Sequence, residues 1–167
     1  MKVINLFLFE ATQKYIIFCD LDGVLTDWDG AVEKLGHGTI DDIKKKHGED
    51  FVWKLIIKAG IHFWSDMSWT KDGKQLWDYI KRYRPTILSA PIAAQSSKIG
   101  KKIWVKKNLG QVKLILESSK KKHLHATPNA ILIDDRPDNI ARWKQAGGIG
   151  ILHTDAVSTI EKLKELL

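Results

Sequence analysis

Short, largely apolar runs recur along the chain and alternate with longer segments in which apolar residues return every three or four positions. The short runs are typical of strands buried on both faces of a sheet, and the longer segments are typical of amphipathic helices. The predicted strands are residues 15–19, 86–89, 112–117, 130–134 and 149–152, and the predicted helices are residues 71–82, 96–108, 137–146 and 155–166. This alternation predicts an α/β fold with three layers, in which helices cover both faces of a parallel sheet.

The 167 residues suit one compact domain with a substantial apolar core. Between the first two predicted strands, residues 28–66 contain helical patterns at 41–47 and 51–58, where apolar residues return at three- and four-residue intervals. The sequence contains no internal repeat and no long linker. We therefore expect a single domain, 1–167, with residues 28–66 as a small helical insertion.

Composition limits the partners and the compartment. The formal net charge of +7 favours anionic partners, either phosphorylated small molecules or nucleic acid. The single cysteine, Cys19, excludes an internal disulfide, so a reducing cytoplasm is the expected location. Residues 1–10 form a short apolar run interrupted by Asn5, which we interpret as an edge strand or packing arm rather than a signal peptide. No apolar stretch is long enough to span a bilayer, so no membrane partner is expected.

Two carboxylates follow the first predicted strand. Asp20 and Asp22 are separated by one residue, so both can project in the same direction from the strand end and the turn after it. Gly23 then permits backbone angles that are closed to other residues. Ligands of parallel sheets bind beyond the carboxyl ends of the strands, which predicts an active site at this edge. A calcium loop would not place glycine directly after the second Asp or a buried strand before the first.

A second predicted strand, residues 130–134, also delivers carboxylates, from Asp134 and Asp135. Converging carboxylates repel each other, and each contacting pair costs about 4 kcal/mol at an effective dielectric constant of about 20. A divalent cation would offset this repulsion. Oxygen-only ligands favour a hard ion such as Mg²⁺.

Four stretches resemble, in order along the chain, the four motifs of the haloacid dehalogenase (HAD) superfamily of phosphatases. They are DLDGVLTD at 20–27, TILS at 86–89, a lysine-rich segment near 120 and ILIDDRPDN at 131–139. The sequence is also similar to the 5'(3')-deoxyribonucleotidases, whose DMDGVLADF, TSP and LLIDDRP stretches correspond to DLDGVLTDW, LSAP and ILIDDRP here. The resemblance implies a Rossmann-like, HAD-like core in which residues 28–66 form a cap that excludes water from the active site.

The resemblance further implies a phosphatase that works through an aspartyl-phosphate. Asp20 would be the nucleophile, and Asp22 would protonate the leaving alkoxide and then deprotonate the attacking water. Mg²⁺ would be held by Asp20, by the backbone carbonyl of Asp22 and by an acid of the second pair. Because adjacent strand residues point to opposite sides, we favour Asp134 as the direct ligand and Asp135 as a ligand through water.

Two further positions correspond to phosphate-binding residues of the superfamily. Ser89 would bind a phosphate oxygen through its hydroxyl, where the structural alternative is a plain turn serine. Lys120 would neutralise the phosphate and steady the nucleophile, but Lys121 and Lys122 follow it directly, so the choice within this triplet stays open. Ala90 stands where the deoxyribonucleotidases carry a second hydroxyl, and the substitution removes one hydrogen bond, worth about 1 kcal/mol.

Aromatic residues are concentrated in and beside the expected cap. Seven tryptophans are present in the chain, and aromatic faces can stack on a nucleobase. Most tryptophans in proteins nonetheless belong to a core. The candidates for contact with a base are Trp28, Trp53, Phe63 and Trp64.

Three functions follow from these features. The leading hypothesis is a Mg²⁺-dependent phosphatase that acts on deoxyribonucleoside monophosphates. The second is a HAD phosphatase that acts on 3'-phosphorylated nucleic-acid ends or on another small phosphate ester. For nucleic-acid ends, a basic track would be formed by the lysines at 44–46, 101–102, 106–107 and 120–122. Activity on an oligonucleotide would then depend steeply on salt concentration. The third is a non-enzymatic scaffold, which would need neither Asp20 nor Asp22.

Overall fold

The computed structural model describes residues 14–167, and the strand or arm expected at residues 1–10 lies outside this part of the chain. The strands are β1 (Ile16–Cys19), β2 (Thr86–Ser89), β3 (Leu114–Leu116), β4 (Ala130–Asp134) and β5 (Ile149–Leu152). They form one parallel sheet with the order β3-β2-β1-β4-β5. The predicted α/β fold is confirmed, and β2, β4 and β5 have the predicted bounds.

The helices are α1 (Trp28–Glu33), α2 (Ile40–His47), α3 (Glu49–Ala59), α4 (Ile61–Ser65), α5 (Gly73–Ile80), α6 (Gln95–Leu109), α7 (Pro137–Gln145) and α8 (Ala156–Leu166). Short 3-10 helices cover Lys81–Tyr83 and Ser119–His125. Local sequence explains several of the helix starts. A capping box between Thr39 and Asp42 begins α2, and Pro137 occupies the first turn of α7, where its missing N–H costs nothing.

Both faces of the sheet are covered by helices. Along β1, Ile17 and Cys19 point into the main core, which also contains Trp104 of α6. The residue between them, Phe18, points to the opposite face and packs with Trp143 of α7 at a ring-centroid distance of 5.3 Å. This alternation is the pattern expected of a central strand in a three-layer structure.

The helical segment between β1 and β2 shares the main core. Val32 of α1, Ile43 of α2 and Ile56 of α3 are buried in the same cluster as Ile17 of the sheet. At Gly100 of α6, a Cβ atom would collide with the side chain and backbone of α4. Glycine therefore allows α4 and α6 to approach closely, which fixes the helical segment against the sheet layer. Within residues 14–167, no helix combines the length and the apolar character that crossing a membrane requires.

Candidate active site

Carboxylates from two neighbouring strands meet at one edge of the sheet. Cys19, the last residue of β1, pairs with Ile133 of β4, so Asp20 and Asp134 leave the sheet side by side. Together with Asp135 they form what we call the acidic cluster, in which one carboxylate oxygen from each residue lies within 4.8 Å of the others. The structure thus brings together the three carboxylates that the sequence placed at a metal site, while Asp22 was expected there through its backbone carbonyl.

One lysine of the triplet 120–122 enters this cluster, and it is Lys122. Its Nζ lies 2.7 Å from Oδ2 of Asp20 and 2.8 Å from Oδ2 of Asp134, and the residue is only 1% exposed. Lys120, the first candidate of this triplet, is exposed and lines the nearby cavity. Of the three lysines among which the sequence left the choice open, only Lys122 contacts Asp20, because the 3-10 helix Ser119–His125 turns it toward the sheet edge.

The two acids of the second pair have different surroundings. Asp134 is fully buried, and besides Lys122 it accepts hydrogen bonds from the backbone N–H of Arg136 at 2.9 Å and from Nδ2 of Asn139 at 3.0 Å. Asp135 lines the cavity, and its carboxylate lies so close to Gly23 that a Cβ there would collide with it. The geometry therefore favours Asp135 over Asp134 as the acid that faces a ligand, which reverses the order preferred from the sequence.

The charges in the cluster shift the pKa values of its members. Burial, together with the carboxylates of Asp20 and Asp134, raises the pKa of Asp135 to about 7. Burial raises the pKa of Asp20 against the opposing effect of the Lys122 ammonium. For Lys122 burial acts in the opposite direction and lowers the pKa, but Asp20 and Asp134 outweigh it, so the pKa lies above its usual value. Lys122 is therefore a fixed positive charge, whereas Asp135 is an acid that a cation would help to ionise.

The donor set of the acidic cluster fits a hard divalent cation. It offers three carboxylates, and Lys122 neutralises only part of their charge. Burial, and after it the carboxylates of Asp20 and Asp134, raise the pKa of Asp135, and a bound cation would oppose this shift. Carboxylate oxygens without nitrogen or sulfur ligands are the donors that Mg²⁺ prefers.

Asp22 is held by a second buried lysine, which the sequence analysis did not single out. Lys101 of α6 is 1% exposed, and its Nζ contacts Oδ2 of Asp22 and lies 3.0 Å from Oγ of Ser89. Asp22 also accepts a hydrogen bond from Oγ1 of Thr26 at 3.1 Å. Ser89 itself is completely buried and is not among the residues that line the cavity, so its hydroxyl contacts Lys101 rather than the space available to a substrate.

A signal for Lys101 was present in the sequence. The buried residues of α6 recur at helical spacing, as Ser97, Gly100, Lys101, Trp104 and Val105. A lysine at a position of the apolar stripe needs a buried anionic or polar partner, because an unpaired ammonium group is costly to bury. The sequence places Lys101 and Lys102 together in the basic track, but only Lys102 is exposed.

A cavity of about 680 Å³ opens above these charged residues. On the side of the sheet edge it is lined by charged residues, namely Asp20, Asp22, Lys122 and Asp135. This volume lies within the range of sites for small molecules. The cavity thus joins the acidic cluster to a space large enough for a substrate of nucleotide size.

Three of the predicted aromatic contacts, and Ala90, line this cavity. Trp28 of α1 and Trp53 of α3 lie with their ring centroids 5.9 Å apart and their planes tilted by 48°, and Trp64 of α4 completes the aromatic wall. Phe63 is not among the lining residues; it is buried and packs edge to face on Trp64 at 4.9 Å. Contrary to the expectation from the sequence, Phe63 does not line this cavity, because on the short helix α4 consecutive side chains point in different directions.

Comparison with known proteins gives no match to a protein-family model and none to a curated protein. Among solved structures, the chain resembles a hydrolase from Streptococcus pneumoniae TIGR4, with a TM-score of 0.57 and 13% identity over 92% of this chain and 100% of that chain. A predicted phosphatase from Clostridium acetobutylicum gives a TM-score of 0.53 at 14% identity, covering 93% and 100% of the two chains. A HAD-superfamily hydrolase from Ehrlichia chaffeensis gives 0.51 at 12% identity, covering 92% and 98%. The protein therefore has the Rossmann-like α/β fold of HAD-superfamily hydrolases.

Proposed function

We propose that the protein is a Mg²⁺-dependent phosphatase that hydrolyses deoxyribonucleoside monophosphates through an aspartyl-phosphate on Asp20. The observation that carries this proposal is the contact of Lys122 with Asp20 at 2.7 Å, at the base of a cavity with aromatic walls. A buried carboxylate held by a fixed positive charge is suited to attack a phosphoryl group, because the ammonium stabilises negative charge as it develops on the phosphoryl oxygens.

Mg²⁺ would be held by Asp20 and Asp135, with Asp134 completing the acidic cluster and the backbone carbonyl of Asp22 as a further ligand. When bound, the cation neutralises charge on the phosphoryl oxygens and lowers the repulsion between the acids. Asp134 would act mainly by holding Lys122, since its oxygens already accept bonds from Lys122, Arg136 and Asn139.

Asp20 and Asp22 carry the bond-making and proton-transfer steps of the proposed reaction. An oxygen of Asp20 attacks phosphorus, the bond from phosphorus to the ester oxygen breaks, and the electron pair stays on that oxygen, which takes a proton from Asp22. The Asp22 carboxylate then removes a proton from water, whose oxygen attacks the aspartyl-phosphate. The bond from phosphorus to Asp20 breaks and its electron pair returns to the carboxylate, so that one water is consumed and one phosphate is released.

The aromatic wall supports a nucleobase as the group next to the phosphate. Trp28, Trp53 and Trp64 line the cavity, and stacking of a base on an aromatic ring contributes about 1–3 kcal/mol. In this proposal residues 28–66 are the cap, which excludes water while phosphoryl transfer proceeds. An enzymatic function also explains why Lys122 and Lys101 are buried beside Asp20 and Asp22, whereas a non-enzymatic scaffold would not require these pairs.

A second candidate substrate is a 3'-phosphorylated nucleic-acid end. Lys120 and Arg136 are exposed at the cavity, where they would meet the phosphates of a longer chain. Contacts of this kind release counterions, so they would make the activity on an oligonucleotide fall steeply with added salt. Hydrolysis of a mononucleotide makes fewer phosphate contacts and would vary much less.

The proposal is tested by phosphate release from deoxyribo- and ribonucleoside monophosphates and from a 3'-phosphorylated oligonucleotide, with Mg²⁺ or EDTA. Asp20→Asn removes the nucleophile and should abolish turnover. Asp41→Asn is the matched control, because it makes the same chemical change on the exposed surface of α2, away from the cavity. Mg²⁺-dependent turnover of deoxyribonucleotides that Asp20→Asn abolishes and Asp41→Asn retains would support the proposal. Turnover of the oligonucleotide alone would transfer the function to nucleic-acid ends, and turnover retained by Asp20→Asn would overturn the mechanism.

A further inference from the structure

The ammonium group of Lys101 is surrounded by three groups of the protein. It contacts Oδ2 of Asp22, lies 3.0 Å from Oγ of Ser89 and lies 4.8 Å from the centroid of the Trp64 ring. A carboxylate, a hydroxyl and an aromatic face are all favourable partners of an ammonium ion. At 1% exposure the side chain is anchored rather than mobile, and its position is set by α6 and by the end of β2.

Lys101 has no direct access to a substrate. It is not among the residues that line the cavity, whereas Asp22, which it contacts, does line it. Any effect of Lys101 on the reaction must therefore act through a neighbour. The neighbour with reactive potential is Asp22, because Ser89 is completely buried.

The two contacts of Asp22 hold both of its oxygens. Lys101 fixes Oδ2, and the Thr26 hydroxyl donates to Oδ1 at 3.1 Å. A carboxylate has about four lone-pair sites, so these two contacts leave positions free for the proton that the reaction requires. The plane of the carboxyl group is thus set before a substrate binds, while lone-pair positions on both oxygens stay free.

We propose that Lys101 is a positioning residue, which orients the carboxyl group of Asp22 for proton transfer to the leaving oxygen. This inference rests on the proposed phosphatase function and assigns to α6 a part of the machinery distinct from that of Lys122. Lys122 holds the nucleophile Asp20, and Lys101 holds the acid that completes bond cleavage. Proton transfer by a correctly placed group contributes about 100- to 10,000-fold to a rate, so misplacing it has a large and specific effect.

The effect is specific because it depends on the leaving group. An alkoxide or phenolate leaves slowly without a proton, whereas a dinitrophenolate needs none. We therefore expect Lys101→Met to slow the first turnover of phenyl phosphate about 100-fold and that of dinitrophenyl phosphate only slightly. The measurement is rapid-quench release of the phenol from phenyl, nitrophenyl and dinitrophenyl phosphate with Mg²⁺, giving the dependence of the rate on leaving-group acidity.

Three variants make this measurement selective. Lys102→Met is the matched control, because it removes the adjacent, exposed lysine of the same helix and should keep the wild-type dependence. Lys101→Arg retains a cation, so its dependence of rate on leaving-group acidity should lie between those of the wild type and Lys101→Met. Ser89→Ala removes the hydroxyl that contacts the Lys101 ammonium. It should change the dependence of rate on leaving-group acidity in the same direction as Lys101→Met, but by less. The ratio of two rates in one preparation does not depend on how much of a variant folds, so instability cannot imitate the result.

The inference would be overturned if Lys101→Met and Ser89→Ala kept the wild-type dependence of the rate on leaving-group acidity. This holds whether the rates with all esters fall equally or do not fall at all, and the phosphatase function would then stay intact. Hydrolysis by the wild-type protein of none of these esters and of no deoxyribonucleoside monophosphate would overturn the proposed function and the inference with it. A steeper dependence in Lys101→Met, absent in Lys102→Met, would establish Lys101 as the residue that positions Asp22.

Discussion

Lys122 lies 2.7 Å from the carboxylate of Asp20, and the same ammonium group contacts Asp134 at 2.8 Å. One side chain from a 3-10 helix therefore joins the ends of two strands that are adjacent in the sheet. Because all three groups are buried, the interaction is poorly screened by solvent, and both the stability and the reactivity of the site depend on it.

Lys122→Met should therefore abolish activity and destabilise the protein. Removing the cation leaves two buried carboxylates without their partner, which costs about 3 kcal/mol or more in the free energy of unfolding without metal. We expect phosphate release to fall at least about 100-fold, measured alongside urea denaturation in EDTA. Lys121→Met is the control, since that lysine is exposed and does not line the cavity. Equal effects of the two substitutions would contradict the assigned role of Lys122.

Binding of Mg²⁺ should release a proton below neutral pH. Burial and the neighbouring carboxylates raise the pKa of Asp135 to about 7, so most molecules carry a proton there at pH ~6 and few do at pH ~8. A cation that binds the carboxylate must displace this proton, and its affinity should therefore rise with pH through 7 and then level off. Isothermal titration calorimetry at both pH values, in buffers of different ionisation enthalpy, measures the protons released. Asp135→Asn should remove the release, and an affinity independent of pH would argue against Asp135 as a ligand.

Gly23→Ala should weaken Mg²⁺ binding by displacing Asp135. Gly23 has a φ of 77°, and an added Cβ would collide with the Asp135 carboxylate. Gly110→Ala is a matched control, because Gly110 has a φ of 79° and no atom within 4 Å of the added Cβ. Both substitutions should cost about 1–2 kcal/mol of stability from backbone strain, and Gly23→Ala alone should lose metal affinity in calorimetry. Similar metal affinities in the two variants would show that the Asp135 carboxylate tolerates displacement.

Trp53→Ala should raise KM for nucleoside monophosphates more than it lowers kcat. The Trp53 ring lines the cavity beside Trp28, and loss of one stacking partner corresponds to about 1–3 kcal/mol of binding, or about 5- to 150-fold in KM. Phe51→Ala removes an aromatic ring from the same helix, α3, that packs on His47 rather than lining the cavity. Steady-state kinetics of both variants distinguish the two roles. A KM unchanged in Trp53→Ala would exclude base stacking at this position.

The elements of the sheet layer could be predicted because they depend on local patterns. The apolar runs at 130–134 and 149–152 become β4 and β5 with unchanged bounds, and the proline at 137 begins α7. Two short helices, α1 and α4, were not predicted. They have six and five residues, too few for a hydrophobic periodicity to emerge, and α4 is held by close packing against Gly100 rather than by its own sequence.

The sequence by itself determined the α/β class of the fold and the carboxylates at the ends of β1 and β4. It also determined the edge of the sheet at which these carboxylates meet. Both follow because strand burial depends on composition, and the direction of parallel strands depends on the order of elements along the chain. Only the tertiary structure decided which side chains complete the site. Lys122 rather than Lys120 meets Asp20, and Lys101 is buried against Asp22. These choices depend on distances between residues remote in sequence, and a charged side chain is buried only where folding brings it a partner of opposite charge.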